Sequence, residues 1–372
     1  MNSQKKVINL IQDLATPHNN VLISAFKDCH EAQIKLWYAV DMDQSRYQWS
    51  NNLSHEHFSA QFYGTSFNWH FIKYCICHPE EIFVIVGWMN VNTRIIHLLF
   101  FLLRRPYNHW TDLPDPNMQR MQLKRKISRF FAYLLLKYSY CKIFGVGKTT
   151  IDCFHSWGFP SERLVNLPIF VTVDENFVAY RAERNELLSR YGVNTAGFLI
   201  SCGSRLIYEK GYDLLIRAIA LLPQDICSEI KVVIVGVGDV LEDLQRLACE
   251  LNLLHCIVFQ QWLEIEDFKA LIANSDVFVH PARFDSFGGT TLAMALGVPV
   301  IGSTGAGAAV DRIQSGFNGF LYEAEDVQAL ANAIIWLYVD PELKERIGRS
   351  GRETALKWHP SYGVEILLQN AI

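Results

Sequence analysis

Arg205, Lys210 and Asp285, with the run Phe287-Gly288-Gly289-Thr290-Thr291, are the residues of this chain best suited to chemistry. Arg205 and Lys210 flank a short loop that ends at Gly211. Two cations so spaced suit a diphosphate, whose oxygens take charge-assisted hydrogen bonds. Asp285 stands just ahead of two glycines and two threonines. Such a loop exposes backbone N–H groups at a helix start, where an anion is held, while the acid accepts hydrogen bonds from sugar hydroxyls. The ligand implied is both phosphorylated and hydroxylated. The plainer readings are a solvated loop with two exposed cations and a glycine-eased turn in which Asp285 caps the next helix.

The surrounding pattern supplies the elements that must hold these residues. Val277 to Ile301 reads as a buried strand, the polar loop, a short helix and a second buried strand. Strands apolar throughout indicate a parallel sheet covered on both faces. Upstream, Phe198–Gly203, Lys231–Gly236, Cys256–Phe259 and Val277–His280 read as strands. They alternate with helices over Tyr212–Leu222, Leu241–Leu251 and Ile265–Ser275. This strict alternation means a doubly wound α/β domain, with ligands beyond the carboxyl ends of its strands. The first half is aromatic and less regular, with strands expected at Val7–Ile11, Lys35–Val40, Ile82–Gly87, Tyr107–Thr111 and Lys142–Val146. Asn166–Glu183 reads as the connection between two domains. Gly236-Val237-Gly238 follows a strand but lacks the third glycine and downstream acid of a dinucleotide fingerprint.

Composition sets the limits. A chain of 372 residues is long for one core, and its apolar half suffices for two. Thirty-four basic against 38 acidic residues leave −4, which excludes a generally nucleic-acid-coating protein. Nine cysteines without a C-x-x-C pair or metal spacing suit a reducing compartment, so the expected location is cytoplasmic. Asn9, Gln12 and Asp13 interrupt the first apolar run, which reads as a strand rather than a signal peptide. The longest apolar segment, Ile95–Leu103, is far too short to span a membrane.

Four segments, GSRLIYEKGYDLLIRAI (203–219), VVIVGVGD (232–239), SDVFVHPARFDSFGGTTLAMALGVPVIGS (275–303) and NGFLYEAEDVQALANAI (318–334), resemble the retaining GT-B glycosyltransferases of family 4. VNLPIFVTVDENF (165–177) resembles the stretch by which such chains leave their first domain. The resemblance implies two Rossmann-like doubly wound domains facing across a cleft. Residues 1–167, with 356–372 crossing back, would bind the acceptor; residues 168–355 would bind a nucleotide-diphosphate sugar, UDP favoured over GDP. It further implies that Arg205 and Lys210 stabilise the departing nucleotide, that Asp285 binds the transferred sugar, and that Gly203 and the 287–291 loop line the donor. No obligatory metal or other cofactor is expected. The chain departs from the family pattern at one point: Leu292 or Ala293 stands where a second acid usually accepts the ribose hydroxyls.

The acceptor, a glycan or a lipid-linked hydroxyl, is the least legible part. His18, His109 and Asp112 are the side chains at expected strand ends that would face it, and each reads equally as an ordinary capped strand end or loop residue. Arg120 to Lys148 holds eight Lys or Arg and no acid. There Leu123, Ile127, Phe130, Phe131, Leu134 and Tyr138 recur at helical spacing. The first reading is a core helix with a solvated basic back; the other is a surface for anionic lipid. Two further classes compete with an enzyme of this kind: a non-catalytic GT-B scaffold, suggested by the missing second acid, and a nicotinamide-dependent oxidoreductase.

Overall fold

A computed structural model describes residues 5–14, 16–40, 58, 60–88, 90–114, 123–173, 177, 179–181, 184–190 and 197–372; the side chains of 17, 18, 124, 125, 184 and 188 lie outside that description. The chain forms two compact units, Met1–Phe170 with Pro360–Ile372, and Val171–His359.

In the first unit the strands are β1 (Lys6–Leu14), β2 (Ala32–Val40), β3 (Ala60–Phe62), β4 (Ile82–Val86), β5 (Tyr107–Thr111), β6 (Cys141–Gly145) and β7 (Leu164–Asn166). They pair in parallel in the order β3-β2-β1-β4-β5-β6-β7. The helices are α1 (Pro17–Ala25), α2 (Trp69–Cys77), α3 (Val91–Leu102), α4 (Leu123–Tyr138) and α5 (Lys148–Ser156). β1 runs straight through its first polar interruption because that residue is satisfied. Asn9, fully buried, donates to Glu81 at 2.7 Å and accepts from Trp37 Nε1 at 2.9 Å, which removes the cost of an unpaired buried amide. The three-residue β3 has no apolar run to announce it; two of its side chains are exposed.

In the second unit α6 (Arg184–Arg190) precedes β8 (Phe198–Gly203), α7 (Tyr212–Ala220), α8 (Gln224–Glu229), β9 (Ile230–Val235), α9 (Leu241–Glu250), β10 (Ile257–Gln260), α10 (Ile265–Ala273) and β11 (Val277–His280). Then come α11 (Thr290–Ala295), β12 (Val300–Ser303), α12 (Gly307–Arg312), β13 (Phe320–Tyr322), α13 (Val327–Val339) and α14 (Pro341–Lys357). The sheet order is β10-β9-β8-β11-β12-β13, again all parallel. Buried Ile200, Val232, Ile234 and Val279 meet Leu215, Ile219, Leu330 and Ile334 on one face; the other face packs Leu199, Val233 and Leu271. The order reverses between β8 and β11, so the crevice for a ligand opens at their carboxyl ends. α15 (Pro360–Asn370) packs on α1, and the chain end is held there by Asn108, which bonds both the N–H and the C=O of Ile372 at 3.1 and 3.0 Å.

Candidate functional site

The loops after β8 and β11 meet at this crevice. Tyr208–Lys210 forms a single 3-10 turn closed by Gly211 at φ +69°, after which α7 begins. A side chain at Gly211 would put its Cβ 2.1 Å from the Pro281 carbonyl oxygen, so the first loop lies directly on the second. The second loop is clamped in return: Arg283 N–H and Phe284 N–H both donate to Glu209 O, at 2.8 and 3.0 Å. Gly211→Ala therefore imposes a left-handed conformation on an L side chain and a backbone clash, and should cost about 3 kcal/mol together. A urea titration reads it; a loss below about 1 kcal/mol, within the ordinary scatter of surface changes, would count against the contact.

Lys210 and Asp285 meet inside that junction. Lys210 Nζ lies 2.5 Å from Asp285 Oδ2, with the two side chains only 12% and 13% exposed. His280, at the end of β11, sets its Nε2 3.0 Å from the same oxygen and its Nδ1 2.9 Å from the Thr290 hydroxyl. With Nε2–H donating to the carboxylate, a neutral ring accepts from Thr290 at Nδ1. Burial pushes the Asp285 carboxyl up, but the His280 hydrogen bond and the Lys210 charge outweigh it and hold it below the ordinary carboxylate range. The Asp285 backbone is pinned as well, donating to Gly305 O at 2.9 Å and accepting from Gly307 N at 2.8 Å. A Cβ on Gly288 would fall 2.5 Å from His280 Cε1 and 2.9 Å from Asp285 Oδ2, so only glycine leaves this trio intact.

The other residues singled out from sequence are distributed less simply. Arg205 is exposed just past β8, whose last residue is Gly203. Gly288 is exposed and Gly289 precedes α11. Phe287, Thr290 and Thr291 are 5%, 0% and 6% exposed, so their side chains support the loop from beneath rather than line its surface. Leu292 is half-buried and Ala293 fully buried, and neither side chain can accept a hydrogen bond. Gly236 and Gly238 answer to a packing demand: a Cβ on them would lie 1.9 Å from Ser204 O and 2.1 Å from Leu206 O. Their spacing follows from backbone packing against the loop after β8. Among the described residues, no group of three His, Cys, Asp or Glu ligand atoms gathers at this site.

Sequence reasoning missed Arg283. Its guanidinium grips Asp213 with two bonds of 2.7 and 2.6 Å, Glu325 at 2.8 Å and Tyr208 O at 3.0 Å, and stands 4.1 Å over the Tyr208 ring. These bonds, led by the pair to Asp213, raise its pKa above the ordinary guanidinium value. Arg283 thus fastens the Lys210 loop to the Asp285 loop. No spacing in the chain signals a bond between positions 213 and 283. His280 is buried as a strand-ending histidine should be, but its partners are the site residues themselves.

In the first unit, His109 is 3% exposed within β5, edge-on to the fully buried His97 with ring centroids 5.0 Å apart. It lies inside the unit, not at the strand's open end. Asp112 is exposed just beyond β5. His18 falls in the first turn of α1, and its side chain lies outside the described residues. The apolar stripe of α4 is reversed from the first reading: Leu123, Ile127, Phe130, Phe131 and Tyr138 are all exposed, while Ala132 and Leu136 face inward. Hydrophobic spacing identifies a stripe but not which side of it meets solvent.

Comparison with known proteins bears on both units. Residues 183–354 match the family model of glycosyl transferases group 1. Over 219 residues the chain is 33% identical to a GDP-mannose-dependent alpha-(1-6)-phosphatidylinositol monomannoside mannosyltransferase of Mycolicibacterium smegmatis, covering 57% of this chain and 56% of that one. It is 32% identical over 184 residues to the putative glycosyltransferase EpsD of Bacillus subtilis, covering 49% and 47%. The chain thus spans about half the length of the relatives it matches. Among solved structures, HepE of Anabaena in complex with UDP superposes with a TM-score of 0.76 at 19% identity, covering 98% of each chain. WaaG, a glycosyltransferase involved in lipopolysaccharide biosynthesis, does so at 0.67 and 15%, covering 97% and 99%. Both units are Rossmann-like, the fold is GT-B, and within it residues 183–354 are similar to the glycosyl transferases group 1.

Proposed function

We propose that this protein is a retaining glycosyltransferase that moves a sugar from a nucleotide-diphosphate sugar to a hydroxyl of a glycan or lipid-linked acceptor. The observation that carries the reading is the Lys210–Asp285–His280 trio at the switch between β8 and β11, with the exposed cation Arg205 in the same loop after β8 as Lys210. A diphosphate entering there competes with Asp285 for Lys210. Lys210 and Arg205 then face the phosphate oxygens as negative charge develops on the leaving nucleotide. Asp285, released from Lys210 but still held by His280, accepts hydrogen bonds from hydroxyls of the sugar being transferred. The two side-chain cations supply the charge that a divalent ion would otherwise bring, so transfer proceeds without an obligatory metal. In this reading the second unit binds donor and the first unit binds acceptor. Both Leu292 and Ala293 lack an acceptor group for the ribose, which lowers donor affinity by about one to two decades relative to a site with a carboxylate there.

A thermal-shift panel of UDP, GDP, ADP and their sugars tests this. Both pyrimidine and guanine donors belong in it, because a relative is named for GDP-mannose and a neighbour was solved with UDP. At least one nucleotide should raise the melting temperature by mass action, and Arg205→Ala should abolish the rise. If none shifts it, the donor-site reading fails. Retention of the anomeric configuration is read directly from the product by NMR.

The acceptor side gains support from the outer surface of the first unit. α4 presents Leu123, Ile127, Phe130 and Phe131 to solvent, and the adjacent α3 presents Leu98 and Leu102. The segment from Arg120 to Lys148 carries no acid, so the occupant whose charge complements it is an anionic lipid surface. No described helix is long and apolar enough to cross a membrane, and the contact proposed here is a peripheral one. Vesicles containing phosphatidylglycerol should sediment the protein, vesicles of phosphatidylcholine alone should not, and Phe130→Ser with Phe131→Ser should release it. Equal sedimentation of parent and variant removes this surface from the proposal.

A further inference from the structure

At the opposite end of the second unit's sheet, three metal-ligand side chains converge. Cys227 lies on α8, which leads into β9, and His255 and Cys256 form the turn that leads into β10. Since β9 and β10 are parallel, both segments sit at the amino ends of the strands, away from Lys210 and Asp285. A ring nitrogen of His255 and the sulfurs of Cys227 and Cys256 all lie within 4.8 Å of one another. Both cysteines are free thiols, and the partly buried Cys227 and exposed His255 leave a path from solvent to the buried Cys256.

We propose that Cys227, His255 and Cys256 form a binding site for a thiophilic cation, Zn(II) in the first instance. Zinc–sulfur bonds of about 2.3 Å and zinc–nitrogen bonds of about 2.0 Å place tetrahedral ligand atoms roughly 3.5–3.8 Å apart, so the trio closes by at most about 1.3 Å. Two sulfurs and an imidazole select soft or borderline ions and discriminate against Mg²⁺ and Ca²⁺, which take oxygen ligands. The fourth position is left to water.

The surroundings are built as such a site requires. His255 Nδ1 lies 2.9 Å from Asn252 O, so this nitrogen donates to a carbonyl and the other keeps its lone pair. Metal-binding imidazoles are commonly held in one tautomer in this way. The turn itself is fixed by Asn252 at φ +59°, by Cys256 N donating to Leu253 O at 3.0 Å and by Val232 N donating to Cys256 O at 2.8 Å. Lys231 Nζ holds His255 O at 2.8 Å. A bound ion would join α8 to the α9–β10 turn and stabilise the second unit. Its role is structural, it takes no part in sugar transfer, and it stands or falls independently of the donor-site reading. The separation of Cys227 from His255-Cys256 in the chain matches no zinc motif, which is why the cysteine spacing signals nothing.

The test uses the full chain, reduced and stripped of metal by chelator, with Co(II) as the spectroscopic probe for Zn(II). Co(II) should give intense thiolate-to-cobalt charge-transfer absorption and the visible bands of a tetrahedral ion, and equimolar Zn(II) should bleach both. Zn(II) should also raise the melting temperature, while Mg²⁺ should not. Cys227→Ser should reduce the charge-transfer band and the Zn(II) shift, and His255→Asn should weaken Zn(II) binding by more than the roughly 10–100-fold typical of losing an outer-shell partner. His255 is exposed and Cys227→Ser is nearly isosteric at a partly buried position, so both variants should retain the fold, and the nucleotide shift of the parent should persist in each. Absence of a charge-transfer band in the parent overturns the proposal. So do bands that survive unchanged in Cys227→Ser, which would place the ion at other cysteines.

Discussion

Lys210→Ala should lower kcat/KM for the nucleotide sugar by about 10³-fold, or about 4 kcal/mol at the transition state. Lys210 is nearly buried and bonded to a carboxylate that, among the described residues, only one other side chain, His280, reaches. In the proposed reaction its removal takes a preorganised cation from the departing phosphate, and such groups act far more strongly in a water-poor site than in bulk solvent. The loss should fall mainly on kcat, because charge on the leaving oxygen grows between ground state and transition state. Asp285→Asn provides the contrast. It frees Lys210 from its partner, so nucleoside diphosphate binding should survive or tighten while transfer of the sugar collapses. Steady-state kinetics with product-nucleotide detection measures both. A kcat/KM for Lys210→Ala within a few-fold of the parent would remove this residue from the chemistry.

Acidification should destabilise the protein well before its carboxylates titrate. His109 is buried, and that burial depresses its pKa to about 4. His97 is pushed down as well, by burial first and then by the neighbouring His109. Trp88, Tyr107 and His109 surround the His97 ring, and none brings a negative charge. Above the unfolded value of about 6.5, both histidines are neutral folded or unfolded, and their contribution is complete. As the pH falls below it, the unfolded chain gains protons that the fold refuses. Stability is then lost at about 1.4 kcal/mol per pH unit per histidine, so His109 alone accounts for about 3 kcal/mol by the time its folded pKa is reached. Asp285 and Glu81, held low in the folded state, weaken the fold only further down, and Asp13, raised by burial, acts in the opposite sense. Urea midpoints should therefore slide downward through the histidine range, and the slope should flatten in His109→Gln. A midpoint constant through that range, or an unchanged slope in the variant, refutes the buried-pair account.

The elements of the second unit are legible because their strands are apolar on both faces and their helices on one. Phe198–Gly203 and Val277–His280 run as their sequence pattern predicts, and the neighbouring strands differ by a residue at their ends. The first unit is harder to read for physical reasons. In β1, Asn9 is paid no penalty for burial because Glu81 and Trp37, distant in the chain, complete its hydrogen bonds. In α4 the apolar stripe is plain, but its outward direction depends on what α3 and the sheet leave uncovered.

The amino-acid order by itself determined the alternation of strand and helix, and with it a doubly wound architecture whose ligand end must lie past β8 and β11. It also determined which side chains stand there, since Arg205, Lys210 and Asp285 follow those strands directly. Tertiary structure alone decided which of them meet. Lys210 and Asp285 share an oxygen-to-nitrogen contact, His280 joins them, Arg283 bolts their two loops together, and Cys227 reaches His255 and Cys256. The reason is physical: periodicity reports which face of an element is buried, through interactions within a few residues. A contact between separate loops depends on strand order and on backbone approaches such as that of Gly211 to Pro281, and neither is written in any local spacing.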